Sequence, residues 1–187
     1  AHTHLSWGTR SEAGIFLSAE RSFLSSPEEL LPVMDRCGLK AMVNFTGGYD
    51  SGLEDCLNLY DRAHPGRFFT MTEPIYEHFA NPDYPRLQAE AVEQAHRAGA
   101  CALKLLKTLG LYLREGITTG ALVSIDDPRF DPMWETCAAL DMPVAIHVSD
   151  PIAFFAPVDR YNERYEELAN HPDWSFHGHD FPSNADL

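Results

Sequence analysis

Residues 84–106 read YPRLQAEAVEQAHRAGACALKLL, and this stretch decides the fold class. Its first part, residues 84–98, has the apolar spacing of an amphipathic helix, which Gly99 ends. Residues 101–106 form a short apolar run that predicts a buried strand. Parallel strands need helical crossovers and lie covered on both faces, so a helix followed at once by a buried strand favours a parallel sheet.

The same alternation of helix and strand recurs along the chain. Further helices are predicted over residues 27–37, 51–63, 131–140 and 161–170, and further strands over residues 40–46, 68–72 and 144–148. The first helix has Ser26 as its N-cap and Pro27 at its first position, and Gly38 ends it. Because Pro32 is strained inside a helix, the start is expected to lie later than the cap indicates. Repeated units of this kind predict an α/β fold, either a doubly wound sheet or a (β/α)8 barrel.

Polar residues at the ends of the predicted strands favour the barrel. They are His2, His4, Asn44, Glu73, Lys104 and His147. Barrel enzymes keep their chemistry at the carboxyl ends of the strands. A nucleotide-binding doubly wound sheet would carry a glycine-rich phosphate loop after a strand, and the sequence contains no such loop.

The number of strands predicts an incomplete barrel. Four complete strands and a stub that carries His2 and His4 are fewer than the eight of a closed barrel, which typically has about 250 residues. We therefore expect residues 1–187 to form one domain, the N-terminal portion of a barrel with about five βα units, truncated at both ends. The alternative is a small α/β protein that is complete as it stands.

Composition limits the classes of partner. Asp and Glu outnumber Lys and Arg by 28 to 14, and the resulting charge of −14 repels nucleic acid. The sequence has neither an apolar run long enough to cross a bilayer nor a signal peptide pattern, so a soluble, cytoplasmic protein without membrane contact is expected. The four cysteines are widely spaced inside apolar segments, which favours buried free thiols over a disulfide.

Three histidines suggest a metal site. His2 and His4 share one face of a strand and can close on one ion. His147 lies at the polar tip of a buried strand within residues 142–150, MPVAIHVSD. Imidazoles at the ends of separate strands are typical zinc ligands. The alternatives are a solvated chain end or tag remnant for the first pair and a structural role for His147.

The chain resembles the amidohydrolase superfamily, specifically the amidohydrolase-related branch that includes aminocarboxymuconate-semialdehyde decarboxylase-like and resorcylate decarboxylase-like enzymes. The resemblance rests on four segments. They are the H-x-H of residues 2–4, ALKL at 102–105 on the fourth strand, DDPRFDPMWE at 126–135, and PVAIHV at 143–148 on the fifth strand.

The resemblance implies a divalent metal, zinc in the first place with manganese as the alternative, bound by His2, His4 and His147. It also implies a His after strand six and an Asp after strand eight, both beyond Leu187. His177 and His179 are candidate substitutes for the sixth-strand His, although an active-site-rim loop is the expected setting for them. In relatives with two metals the fourth-strand lysine is carboxylated and bridges the ions, so Lys104 is either such a ligand or the partner of a buried acid.

The function implied is hydrolysis of a C–N or C–O bond in a small organic substrate. Non-oxidative decarboxylation of an aromatic or muconate-type acid is the alternative within the same family. Asp150 is expected to orient His147 or touch substrate. Arg114 is either a clamp for a substrate carboxylate or a solvated surface arginine. A second alternative is a catalytically incomplete fragment that acts as a binding or assembly module. A homodimer is compatible with the resemblance.

Overall fold

The computed structural model describes residues 1–8, 15, 18–148, 150–178 and 181–186. They divide into two compact units, Ala1–Ile146 and His147–Leu187. The prediction of a single domain over residues 1–187 stays a prediction. His179 lies outside the described residues.

The first unit alternates strands and helices. Its strands are β1 (His2–Thr3), β2 (Ser6–Trp7), β3 (Ser22–Phe23), β4 (Met42–Asn44), β5 (Phe68–Thr70), β6 (Leu103–Leu105) and β7 (Val144–Ile146). Its α-helices are α1 (Pro27–Arg36), α2 (Asp50–Cys56), α3 (Tyr84–Ala98) and α4 (Asp131–Ala139), with a 3₁₀ turn at Pro128–Phe130. The segment Leu57–Arg62 continues α2 as a π-helix. No described helix is long and apolar enough to cross a membrane.

Five parallel strands follow one another in chain order. Strands β1, β4 and β5 form one sheet and β6 pairs with β7, all in parallel. A parallel bridge between Thr72 and Leu103 joins the two sheets, because the Lys104 amide donates to the Thr72 carbonyl at 2.7 Å. A doubly wound sheet reverses its strand order at a switch point, which these five strands do not do. The predicted α/β fold with parallel strands is therefore confirmed.

Helix α1 differs from its prediction at its start. It begins at Pro27, so the expectation of a later start is wrong. The Ser26 hydroxyl accepts from the Glu29 amide and the Glu29 carboxylate accepts from the Ser26 amide, a reciprocal cap that satisfies two amides. This cap holds the first turn in place although Pro32 lies inside the helix.

The antiparallel pair of β2 and β3 was not predicted. Ser6 lies opposite Phe23 and Trp7 opposite Ser22. Each strand has only two residues, and side chains of Trp7 and Phe23 are exposed, so the local pattern carries no alternation of apolar and polar residues to detect.

The main core lies between the parallel strands and helices α3 and α4. Helix α3 buries one side at helical spacing, with Tyr84, Gln88, Val92 and Ala95 inside. The Phe130 ring stacks on Phe79 with centroids 5.7 Å apart. A smaller cluster beneath α1 contains Leu5, Met34, Tyr60 and Phe68. Both clusters cover the strands from the helical side.

The second unit consists of short elements around three phenylalanine rings. It contains 3₁₀ turns at Ile152–Phe155 and Pro172–Trp174 and one helix, α5 (Tyr165–Asn170), which is shorter than predicted. The Phe176 ring lies 5.2 Å from both Phe155 and Phe181, and its amide donates to the Phe154 carbonyl at 2.8 Å.

All four cysteines are free thiols, which agrees with the sequence prediction. Cys37 is exposed because it caps the end of α1, so its predicted burial is wrong. Burial raises the pKa of Cys56, Cys101 and Cys137 to about 11.

We predict that Cys37 is the one thiol that reacts rapidly with a disulfide reagent at pH 8. The thiolate is the attacking species, and a thiol with a pKa near 11 is ionised to only about one part in a thousand there. A timed thiol count in native buffer should give one fast group, and a count in denaturant should give four. Two or more fast thiols in the native protein would contradict this burial pattern.

Candidate metal centre

His2 and His4 point their imidazoles at the same place. Side chains two residues apart share a face of an extended chain, and their Nε2 atoms lie 3.3 Å apart. A tetrahedral ion with metal–nitrogen bonds of about 2.0–2.1 Å separates two ligand nitrogens by about 3.3–3.4 Å. The pair therefore has the spacing of two ligands on one ion, and both side chains are exposed to an entering ion.

The backbone of β4 holds this pair in place. The Val43 amide donates to the Ala1 carbonyl at 2.7 Å, and the Phe45 amide donates to the Thr3 carbonyl at 2.9 Å. The Asn44 side chain, predicted only as a polar strand end, completes the attachment. Its Oδ1 accepts from the Leu5 amide at 3.0 Å, directly after His4. Asn44 is fully buried, so its role is to fix the chain that carries the histidines.

Phe45 is a site residue that sequence reasoning missed. Its ring stacks on His2 with centroids 3.7 Å apart and 24° between the planes, and it lies 6.4 Å from His4. The Lys104 ammonium lies 5.2 Å from the same ring centroid. Side-chain directions alternate along a strand, so Phe45 lies on the same face of the sheet as Val43. Val43 is the register partner of His2, which brings Phe45 to the face that carries His2. That register was the one signal that could have identified Phe45.

Lys104 reaches this face from β6 and is 5% exposed. Burial lowers the pKa of Lys104 below its ordinary value, and the charge of Glu73 opposes part of that shift. Glu73 follows β5, and its carboxylate accepts a hydrogen bond from the Gly48 amide at 3.2 Å. The strand-end residues His2, His4, Glu73 and Lys104 thus come from three of the parallel strands, β1, β5 and β6, and β4 lies between β1 and β5.

Arg21 is a second residue that sequence reasoning missed. Its side chain is 1% exposed, and its Nη2 lies 3.7 Å from Glu73 Oε2. The guanidinium also lies 5.7 Å from the centre of the Tyr49 ring and donates to the Ser18 carbonyl at 3.2 Å. Two cationic side chains, Arg21 and Lys104, therefore interact with one buried carboxylate.

A cleft of about 180 Å³ between α2 and α3 reaches Glu73. Tyr49 and Gln88 line it and are both buried. Within the described residues, the Tyr49 hydroxyl and the Gln88 Nε2 have no hydrogen-bond partner. A polar cavity of this size has room for ordered water that would satisfy both groups.

His147 and Asp150 lie together in the second unit. His147 Nε2 is 3.5 Å from Asp150 Oδ2, an orienting contact of the type predicted for this pair. In metal-bound histidines a carboxylate commonly holds one ring nitrogen while the other faces the ion. The role of His147 as a third ligand stays a prediction.

The remaining predicted residues have local contacts. Arg114 donates through Nη1 to the Gly120 carbonyl at 3.0 Å, inside its own loop. His177 is exposed, and its Nδ1 lies 3.2 Å from the Phe155 carbonyl. Over the described residues, no three His, Cys, Asp or Glu side chains gather tightly enough to hold an ion. His2 and His4 alone would supply two of the four ligands that zinc takes.

No protein-family model matches the sequence, and a search of the curated proteins finds no match. The chain is similar to several solved structures, two of which are crystal structures of one enzyme. One is 2,6-dihydroxybenzoate decarboxylase from Rhizobium, at a TM-score of 0.52, and the other is 2,6-dihydroxybenzoate decarboxylase complexed with 2,6-dihydroxybenzoate, at 0.53. Each match is 18% identical and covers 80% of this chain and 45% of that chain. The likeness shows a shared fold. The chain spans less than half the length of either structure.

We predict that Gly48→Ala destabilises the fold more than Gly66→Ala. Both glycines have positive φ, +76° and +79°, so both substitutions carry the same backbone strain of about 1 kcal/mol. A methyl group at Gly48 would lie 2.2 Å from Arg21 Nε, whereas nothing lies within 4 Å at Gly66. The Arg21 side chain is only 1% exposed and has little room to move away, so the collision should add about 1–3 kcal/mol, measured by urea unfolding. Equal losses in the two variants would show that Arg21 is not held against Gly48.

Proposed function

We propose that this chain is the first part of a metal-dependent (β/α)8-barrel enzyme of the amidohydrolase superfamily. The observation that carries the proposal is the 3.3 Å separation of the His2 and His4 Nε2 atoms, the spacing of two ligands on one ion. Two further observations support it. Five parallel strands follow chain order, and the fold matches a barrel enzyme of that superfamily.

In the proposed site His2 and His4 bind the ion through Nε2, and His147 is the third ligand. His147 is the residue that follows β7 in the sequence. Asp150 holds the His147 ring through the 3.5 Å contact. In a one-metal site Lys104 stays a cation. In the alternative two-metal site it would instead be carboxylated and bridge the ions, and the lowered pKa that burial gives Lys104 favours the neutral amine that carboxylation needs.

We propose decarboxylation of a small aromatic acid as the reaction. The similar structures are decarboxylases of 2,6-dihydroxybenzoate, and the cationic side chains of Arg21 and Lys104 at this site can attract an acid substrate. A divalent ion, zinc or manganese, supplies Lewis acidity to the substrate oxygens when bound. Lys104 and Arg21 attract the substrate carboxylate, Arg114 is a candidate clamp for it, and Glu73 holds the two buried cations in position. Hydrolysis of a C–N or C–O bond, the first expectation from sequence, has no specific support from these comparisons.

We predict that the protein purified without chelator carries about one zinc or manganese ion per chain. Substituting alanine for His2, His4 or His147 should weaken metal binding at least ~100-fold, because each removes a direct ligand. His96→Ala is the matched control, since His96 is exposed on α3. Elemental analysis and a chelator competition would measure both effects. An unmodified protein without bound metal, or an equal loss in His96→Ala, would refute the proposed site.

We predict that EDTA abolishes release of CO2 from a dihydroxybenzoate and that added Zn²⁺ or Mn²⁺ restores it. CO2 release and ester or amide hydrolysis should be assayed on the same preparation, so that the two reactions are distinguished directly. Metal-dependent hydrolysis without decarboxylation would contradict the proposed reaction and support the hydrolase interpretation instead. A metal-bound protein with neither activity would support the alternative of a binding or assembly module.

A further inference from the structure

We propose that Phe45 is a positioning residue for the metal-binding pair, and that its ring fixes the orientation of the His2 imidazole. The inference rests on the proposed function, because it concerns the same two ligands. It assigns to an apolar side chain the role that a hydrogen-bonded carboxylate or carbonyl usually has beside a metal-binding histidine.

The His2 ring has one contact that can fix its plane. His2 is an exposed residue on a two-residue strand, and an exposed imidazole rotates freely about two side-chain bonds. Across the part of the chain that the structure describes, its one hydrogen-bonding contact is His4 Nε2. No carboxylate or carbonyl there orients its second ring nitrogen. The flat contact with Phe45, at 3.7 Å and 24°, is therefore the contact that sets the ring plane.

Phe45 is itself held firmly. Its amide donates to the Thr3 carbonyl at 2.9 Å, which ties its backbone to the strand that carries His2. The next residue, Thr46, is buried, and both its amide and its hydroxyl donate to Asn44 Oδ1 at 3.2 Å. Because the residues on both sides are fixed, the Phe45 ring is a rigid surface against which His2 can pack.

Lys104 lies beside the same Phe45 ring. Its ammonium lies 5.2 Å from the Phe45 ring centroid, within the range of a cation–π interaction. The same ring thus contacts a metal-ligand candidate from β1 and the buried cation from β6. Phe45 thereby sets the orientation of His2 and fills the space between that ligand and the cation proposed to attract the substrate.

The test replaces the ring while keeping apolar volume. Phe45→Leu and Phe45→Met remove the flat surface, and Phe45→Tyr and Phe45→Trp preserve it. Phe69→Leu is the matched control, because Phe69 lies on the adjacent strand β5 as the register partner of Val43 and is 43% exposed. The metal-free full chain would be titrated with Co²⁺, and the visible spectrum of the bound ion and its dissociation constant recorded. Urea unfolding would be measured alongside.

We expect Phe45→Leu and Phe45→Met to weaken Co²⁺ binding about tenfold, since an aromatic pair contributes up to about that factor. Their Co²⁺ spectra should change, because the His2 nitrogen would no longer be fixed. Phe45→Tyr and Phe45→Trp should stay within about threefold of the unmodified protein, and Phe69→Leu should match it.

The outcomes separate this inference from the proposed function. Wild-type Co²⁺ affinity and spectrum in a folded Phe45→Leu or Phe45→Met would overturn the positioning role and leave the metal site standing. Equal weakening in Phe69→Leu would also overturn it, because a general loss of packing would then explain the effect. An unmodified chain that binds no Co²⁺ would instead refute the proposed function.

Discussion

The alignment of β1 on β4 is the constraint on which the rest of the site depends. Backbone hydrogen bonds place His2 beside Val43 and Thr3 beside Asn44. Side-chain direction alternates along a strand, so a slip of one residue would turn the histidines to the helical side of the sheet. The buried Asn44 makes such a slip costly, because its side-chain oxygen would lose the Leu5 amide, the donor that comes from the chain segment carrying the histidines. A residue that never faces the site thus determines where the site lies.

Local signals in the sequence predicted the repeating part of the fold well. Helix α3 runs from Tyr84 to Ala98 as expected, and Gly99 ends it in the left-handed conformation at φ +115°. Its amphipathic spacing and its stop are both encoded in adjacent residues. The π-helical continuation of α2 and the short pair β2 and β3 were missed, since their geometry comes from contacts with distant segments. Asp61, for example, lies in the π-helical turn and accepts from both the amide and the hydroxyl of Thr70.

The candidate site likewise contains residues that the sequence predicted and residues that it did not. The histidines at positions 2 and 4 were predictable because alternation alone puts them on one face, and Lys104 because it interrupts an apolar strand. Phe45 was not predictable, because a phenylalanine at the end of a buried strand is ordinary core material until the register with His2 is known. Arg21 gave no signal either. It lies in an irregular segment, and its contact with Glu73 joins residues far apart in sequence.

The candidate site contains cationic side chains, although the whole chain is acidic. The protein carries −14 overall, yet two cationic side chains, Arg21 and Lys104, interact with the buried carboxylate of Glu73. Burying cations is costly in free energy unless they are paired with carboxylates. At physiological salt, surface charges are screened over about 8 Å, so the acidic exterior repels a small anion weakly, whereas buried cations act on it at short range with little screening. Arg21 and Lys104 therefore act mainly on anions that have already entered the site, and in the proposed function such an anion is the substrate carboxylate.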